Sequence, residues 1–520
     1  VQPDPPFTLV STVPADRASA IPRNTSFSAT FSDTVAPASV GAGSAKLIGP
    51  ESNALPATVR VSGSAITLST PVSLPGNTTY YVQLDGAIAN TKGETLGNTV
   101  TRYFTTAPQS WQAPVAIGSL QYLLGNTAPS VQADPAGNVV AVWRHSPSRI
   151  DTITTSRMDA GSGAWSAPVN LAVSADINGA LSDPQMAVAA KGDVYVTWTA
   201  YASGTQTSQI VHYDPASGAW NALPALAGTG ARLVTDAAGN LMALISNGGV
   251  GIVSFNAASN TWGTPVRLDL PAVPASYLLD LNAVADGKGN LLVGWVQDTP
   301  DGRALYVTQN SSGRWSTPQR LDTSVQTGLF RCLSLAVNAN GSAAVSWAHD
   351  NGIAGNPTVM ASTFAGGSAG WSTAVRLDQT SPVFGAQRPW TVVDTAGVAT
   401  TIWSEYEGLF ASRYSPATGA WSAPQRIHDN GSTALAVVDA AGNITVAQQQ
   451  STGTQLATQY LVGENQWHDS AFGPSAPGSN DYVNPPVLTI DASGTVTAAW
   501  FAAAAVNGVQ QYSVAASQFR

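Results

Sequence analysis

Beyond residue 108 the chain holds only three glutamates: Glu405, Glu407 and Glu464. Glu405 and Glu407 flank Tyr406, and residues i and i+2 of an extended strand share one face with backbones about 7 Å apart. Two carboxylates so placed suit glycosidic hydrolysis, one as acid and the other as base or nucleophile. The same three residues also describe a solvated acidic loop. His349-Asp350 and Arg144-His145 bring groups that titrate near neutrality, with no third partner beside them in sequence. Asp298-x-x-Asp301-Gly302, with Arg303 next, lacks the ligand count of a calcium loop and reads as a tight turn. Gly366-Gly-Ser368-Ala-Gly370 matches the string of a nucleophile elbow, which needs a strand before it and a helix after it. Here it precedes Trp371 as Gly161-Ser-Gly-Ala precedes Trp165, so a glycine-rich turn is expected. The single cysteine, Cys332, opens the apolar run Cys-Leu-Ser-Leu-Ala-Val and is expected as a buried structural thiol. No spacing for metal ligands and no phosphate loop occurs, so neither metal nor cofactor is expected.

Glu405, Glu407 and His349 are therefore weak catalytic candidates. Arg144, His145, Asp298, Asp350, Tyr406, Arg388, Trp390 and Tyr482 are candidates for ligand binding, together with Tyr201, Gln297, Asp183, Arg331, His428, Asp429 and Asp481. What unites them is position, which depends on the elements that carry them.

Composition points to strands. The chain has 44% hydrophobic and 10% charged residues, with 48 Gly and 33 Pro, a mixture suited to many short strands and turns and poor for helices. The net charge of −9 and the scarcity of lysine exclude a phosphate backbone as partner. No apolar run is long enough for a transmembrane helix. Numbering from Val1 is consistent with an export signal removed or never included.

Residues 1–6, Val-Gln-Pro-Asp-Pro-Pro, read as an extended linker. Residues 7–107 alternate apolar and polar positions in Ser26-Phe-Ser-Ala-Thr-Phe-Ser, Thr58-Val-Arg-Val-Ser, Ala65-Ile-Thr-Leu-Ser and Thr79-Tyr-Tyr-Val-Gln-Leu, with turns at Pro75-Gly-Asn and Lys92-Gly. Some seven strands in about 100 residues make a sandwich. The order Ser11-Thr-Val-Pro-Ala-Asp, Ile21-Pro-Arg-Asn-Thr-Ser, Thr30-Phe-Ser-Asp, Leu74-Pro-Gly-Asn-Thr-Thr-Tyr-Tyr-Val and Tyr103-Phe-Thr-Thr-Ala resembles the bacterial Ig-like domains of surface-layer and secreted proteins. That resemblance implies a spacer or docking module without catalytic residues.

After Pro108 two phrases repeat. One is led by Trp: Trp111-Gln-Ala-Pro, Trp165-Ser-Ala-Pro, Trp262-Gly-Thr-Pro, Trp315-Ser-Thr-Pro, Trp371-Ser-Thr-Ala and Trp421-Ser-Ala-Pro, with Trp220 and Trp467 in degenerate copies. The other is a hairpin ending in Trp, as in Val131-Gln-Ala-Asp-Pro-Ala-Gly-Asn-Val-Val-Ala-Val-Trp143, repeated to Trp198, Trp295, Trp347, Trp403 and Trp500. Its Asp caps the turn and its Gly supplies the positive φ. The hairpin resembles the first hairpin of NHL-type and related propeller repeats. Each unit then reads as strands a and b, a variable b–c loop, strand c, and a Trp-led strand d. Units and Trp-led strands are out of phase: the array opens on a d strand at Trp111 and closes on strands a, b and c.

The fold class expected is all-β: an immunoglobulin-like sandwich, then a closed eight-bladed β-propeller over 108–520 whose first strand completes the last blade. Seven blades result if the degenerate third unit merges with a neighbour. Periodic Trp is expected to be structural. Trp390 lies outside both registers. The expected role is that of a secreted or envelope-exposed binding or assembly protein, its loops facing a glycan or a protein partner. A carbohydrate-active hydrolase or lyase and a self-associating fibre or layer subunit are the alternatives.

Overall fold

The structure, a computed structural model, describes residues 5–520 apart from 71–73, 122–127, 175–179, 270–277, 323–329, 351–356, 379–384, 430–433, 450–454, 472–485 and single or paired positions elsewhere. Among the described residues the chain is all β, with two single-turn 3₁₀ segments and no helix long and apolar enough to cross a membrane.

The N-terminal domain is a sandwich of eight strands, one more than expected. Leu9–Val13, Phe27–Phe31, Ala65–Ser69 and Thr58–Ser62 form one sheet, and Ala18–Ile21, Val100–Thr106, Thr79–Leu84 and Ala45–Ile48 the other. Period-two alternation turns Phe27, Ala29, Phe31, Ile66 and Leu68 inward against Tyr80, Val82, Leu84 and Phe104, all buried.

The rest of the described chain is a β-propeller of eight antiparallel sheets, each with four or five strands. The degenerate third unit forms its own sheet, with Arg232–Thr235, Leu241–Ile245 and Gly251–Asn256 as strands a to c. The repeated hairpin has the chemistry expected of it. In the first copy Asp134 Oδ1 accepts the Asn138 backbone N–H at 2.9 Å, and Gly137 takes φ 87°. Each a strand lies beside those of the sheets before and after it, and the first lies beside the eighth. The eighth sheet is completed by Val115–Leu120 pairing with Val509–Phe519, so the start of this region is hydrogen-bonded to its end.

The two tryptophan registers differ in burial. Trp143, Trp295, Trp347, Trp403 and Trp500 on strand b are at most 1% exposed. Burial of a side chain of this kind stabilises by roughly 1.5–3 kcal/mol. The strand-d tryptophans are only half-buried at the outer edge of each sheet. Five of them tilt against an aromatic side chain on strand c, at 5.1 to 5.6 Å between centroids. This pairing explains why Trp and Tyr or Phe recur seven residues apart.

The Ig-like domain is docked on the face that carries the a–b turns. Arg23 donates through Nε to Leu74 O (2.7 Å) and through Nη2 to Ser493 O in the eighth a–b turn. Gln109 reaches Gly494 O at 3.2 Å, and Asn77 reaches Glu464 at 3.0 Å. Among the described residues these contacts lie on the side of the a–b turns.

Candidate ligand-binding site

Each a strand is the edge strand of its sheet, and residues from both of its faces border the central space. Gln132, Met186, Val234, Val284, Val337, Trp390, Val437 and Ile490, one from each sheet, line a central cavity of about 490 Å³. Small aliphatic side chains dominate its wall, so Gln132 and Trp390 stand out. Trp390 belongs to strand a of the sixth sheet, Gln387–Val393, opposite Ile402. Its indole donates to Ala436 O at 2.8 Å while 38% of the residue stays exposed. The one tryptophan outside both registers thus faces the channel.

The channel mouth on the loop face is shaped by bulges. In the fourth, fifth and sixth sheets the inner strand slips register opposite the buried strand-b tryptophan. Asp280, Cys332 and Arg388 occupy the slips with φ of 46°, 56° and 52°. Left-handed backbone at a residue other than glycine costs of order 1–3 kcal/mol and persists only where surrounding structure over-determines it. Cys332 is exposed at its bulge, which corrects the expectation of a buried thiol: the apolar run continues the strand, and the bulge turns its first residue outward. Arg232 opens the inner strand of the third sheet and donates to Gln185 at 3.3 Å. Protein around its concave seat desolvates the guanidinium and lowers its pKa, opposed by the charge of Asp280. Arg232, Asp280 and Arg388 thus lie at or near the starts of the inner strands of the third, fourth and sixth sheets.

The other candidates divide by what they touch. Arg144 is a clamp between neighbouring sheets, with Nε at 2.9 Å from Asp183 and Nη1 at 3.4 Å from Asp151. His145 faces Thr154 at 3.0 Å, and burial lowers its pKa, so the imidazole stays neutral at physiological pH. Two residues after the buried tryptophan a polar group recurs on the same strand face. Trp295 donates to Gln297 and Trp403 donates to Glu405, both at 2.7 Å. His349 holds the same place after Trp347 and is 8% exposed.

Glu405 is likewise 8% exposed. It and Glu407 do not share a strand face, as the sequence had suggested. Glu405 pairs directly with Gly408, leaving Tyr406 and Glu407 as the two exposed residues of a tight turn. Gly408, at φ 139°, permits this, since a Cβ there would meet His428 O at 2.1 Å. The glycosidase geometry inferred from spacing is thereby lost. Tyr406 is 77% exposed and Tyr201 40%. Asp298 is paired with Arg303 at 3.0 Å across its hairpin. His428 and Asp429 lie together at the end of a sixth-sheet strand, with Asp429 3.2 Å from Arg426. Asp301, Ser368, Asp481 and Tyr482, and the side chains of Asp350 and Arg331, lie outside the described residues.

A third register escaped the sequence reading. Arg267-Leu-Asp269, Arg320-Leu-Asp322 and Arg376-Leu-Asp378 follow their strand-d tryptophans at constant spacing. Each buried Asp holds its Arg at 2.7 to 2.8 Å. Asp322 and Asp378 also accept a strand-c amide, from Leu305 and Val359, at 2.7 Å. The string stands in the sequence at a fixed distance from each tryptophan, which is the signal that could reveal it. Asp322→Ala is expected to lower unfolding stability by about 2 kcal/mol, because the buried Leu305 N–H loses its acceptor. A denaturant midpoint within error of wild type would contradict this role.

Residues 3–106 match the family model of the bacterial Ig-like domain. No curated protein matches the chain by sequence. Solved structures similar to it include the β-propeller domain of the Trilobed protease from Pyrococcus furiosus, at 8% identity over 69% of this chain and 100% of that one, with TM-score 0.42. The Dos1 propeller is 10% identical over 78% of this chain and 95% of its own, with TM-score 0.45. An Aleuria aurantia lectin is 14% identical over 57% and 97%, with TM-score 0.32. None of these likenesses bears on ligand or activity.

Proposed function

We propose that the chain is a secreted or cell-surface saccharide-binding protein, built as a closed ring of eight blades with its Ig-like domain docked on one face and the channel mouth presented on the other. Eight inner strands around one cavity, and a first strand that completes the eighth sheet, support the ring. The match of residues 3–106 to a bacterial Ig-like model supports a location outside the cytoplasm.

The observation that carries the ligand class is Trp390. An indole held by one hydrogen bond and 38% exposed, in a channel lined mainly by aliphatic side chains, offers a platform for the C–H face of a sugar ring. Arg232, Asp280 and Arg388 at the mouth supply donors and acceptors for hydroxyl groups, the few polar groups that fix orientation in a binding site. In a panel of immobilised polysaccharides, wild-type protein is expected to retain at least one. Trp390→Ala is expected to weaken that binding by about tenfold or more, equivalent to about 1.4 kcal/mol. Equal retention of wild type and variant, or retention of none by wild type, would remove the proposal.

A further inference from the structure

The outer edge of the ring carries a second recognition groove, distinct from the mouth. Strand c ends with Arg at the eighth position before the strand-d Trp in two sheets only, as Arg157 before Trp165 and Arg413 before Trp421. Each guanidinium reaches across to the next sheet and lies over a tyrosine ring, Arg157 over Tyr213 at 5.3 Å and Arg413 over Tyr460 at 4.2 Å. Each tyrosine in turn tilts on its own tryptophan with the same geometry, Tyr213 on Trp220 at 5.3 Å and 52°, Tyr460 on Trp467 at 5.2 Å and 53°. These are two copies of one framework.

Among the positions where they differ is the one two residues before the tryptophan. In the sixth-to-seventh copy that residue is Asn465, with φ 53°. Its side chain accepts from Tyr460 Oη at 2.6 Å, and Arg413 donates to the same phenol through Nη1 and to Thr400 through Nε at 3.3 Å. The Tyr460 phenol is thus bonded on both sides. In the first-to-second copy the residue is Gly218, with φ 69° and no side chain. A cavity of about 430 Å³ opens there, walled by Trp165, Trp220 and Tyr213 with Arg157 and Asp159. Arg157 lines it with a side chain 24% exposed, and Asp134 stands 3.8 Å from its Nη2.

We infer that this groove binds one neutral pyranose unit. Aromatic walls suit the C–H faces of a sugar, and a partly exposed guanidinium offers donors to a hydroxyl oxygen. Two carboxylates, Asp134 and Asp159, outweigh the one guanidinium and disfavour uronates or sulfated sugars.

The test follows the indole N–H signals of Trp165 and Trp220 by NMR while neutral methyl pyranosides and methyl uronates are titrated to about 100 mM. Saturable shifts are expected with a neutral sugar and weaker ones with uronates. Gly218→Asn restores the residue of the closed copy at a backbone angle Asn tolerates, so it is expected to abolish the shifts without lowering the melting temperature. Asn465→Gly is expected to create a second responsive pair at Trp421 and Trp467. Trp390→Ala is expected to leave all of these signals intact, so this groove and the channel mouth stand or fall separately. Shifts that survive Gly218→Asn, or no shift with any neutral sugar, would overturn the inference.

Discussion

Gly118→Val is expected to open the ring. Gly118 lies on the closing strand Val115–Leu120, and a Cβ at its position would stand 2.4 Å from Cζ2 of Trp143 and 3.0 Å from Cη2. Trp143 is 1% exposed in a cluster that joins the first sheet to the eighth, with Ile117, Phe501 and Val514 around it. It therefore cannot swing aside into solvent. Overpacking a filled core costs typically 1–3 kcal/mol, and valine at so close an approach should reach about 3 kcal/mol or exceed it. Val115–Leu120 is the strand by which the start of the propeller region completes its last sheet. Its displacement should bare that sheet's edge to protease. The measurements are the denaturant midpoint and limited proteolysis near residues 108–120. A coupled variant, Gly118→Val with Trp143→Leu, should recover part of the loss, since the two changes act on one contact. Wild-type stability and protection in the single variant would mean that the closing strand does not sit on Trp143.

The second large effect concerns Arg23, and it depends on pH. Arg23 leaves the Ig-like domain to donate to Ser493 O, beside Asp491 and Asp439 of two a–b turns. Burial lowers its own pKa, with both carboxylates opposing the shift. Asp439 is pushed up to about 6, chiefly by burial and against the hydrogen bonds from Asn443 and Ala441 and the charge of Arg23. Tyr80, enclosed in the same contact, has its phenol raised by burial and by the charge of Asp439. A carboxyl held above its ordinary value favours the docked, folded state at low pH and loses that contribution as pH rises through about 6. At pH 7 the ionised Asp439 relies on Arg23.

Arg23→Ala is therefore expected to cost about 2 kcal/mol or more at neutral pH, by leaving a buried charge without its cation. The two domains should then move independently, read as a larger radius of gyration in small-angle scattering. Near pH 5, protonated Asp439 needs no cation and the loss should shrink. Asp439→Asn in the same background should flatten that pH dependence. A destabilisation of equal size at both pH values would show that Arg23 acts through its hydrogen bonds to Leu74 and Ser493 alone.

The regular part of this molecule was legible in its sequence. Period-two alternation set which side of each strand is buried, as in Phe27 to Phe31, because adjacent side chains must point to opposite faces. The hairpin Asp and Gly were readable because few residues cap a tight turn or accept a positive φ. The out-of-phase Trp registers foretold that Val115–Leu120 would pair at the far end of the chain.

What the sequence could not carry is direction at irregular places. Glu405 and Glu407 looked like a pair until a turn at Gly408 put one under an indole and the other in solvent. Cys332 looked buried because its neighbours are, but a bulge reverses one side chain without altering the run around it. Gly218 and Asn465 hold equivalent places in their turns, and only the folded structure shows that Asn465 bonds Tyr460 while a cavity stands beside Gly218. Local periodicity decides the strands, since it acts between residues a few positions apart. The proposed mouth and rim sites join residues from different sheets, and local periodicity does not place one sheet against another.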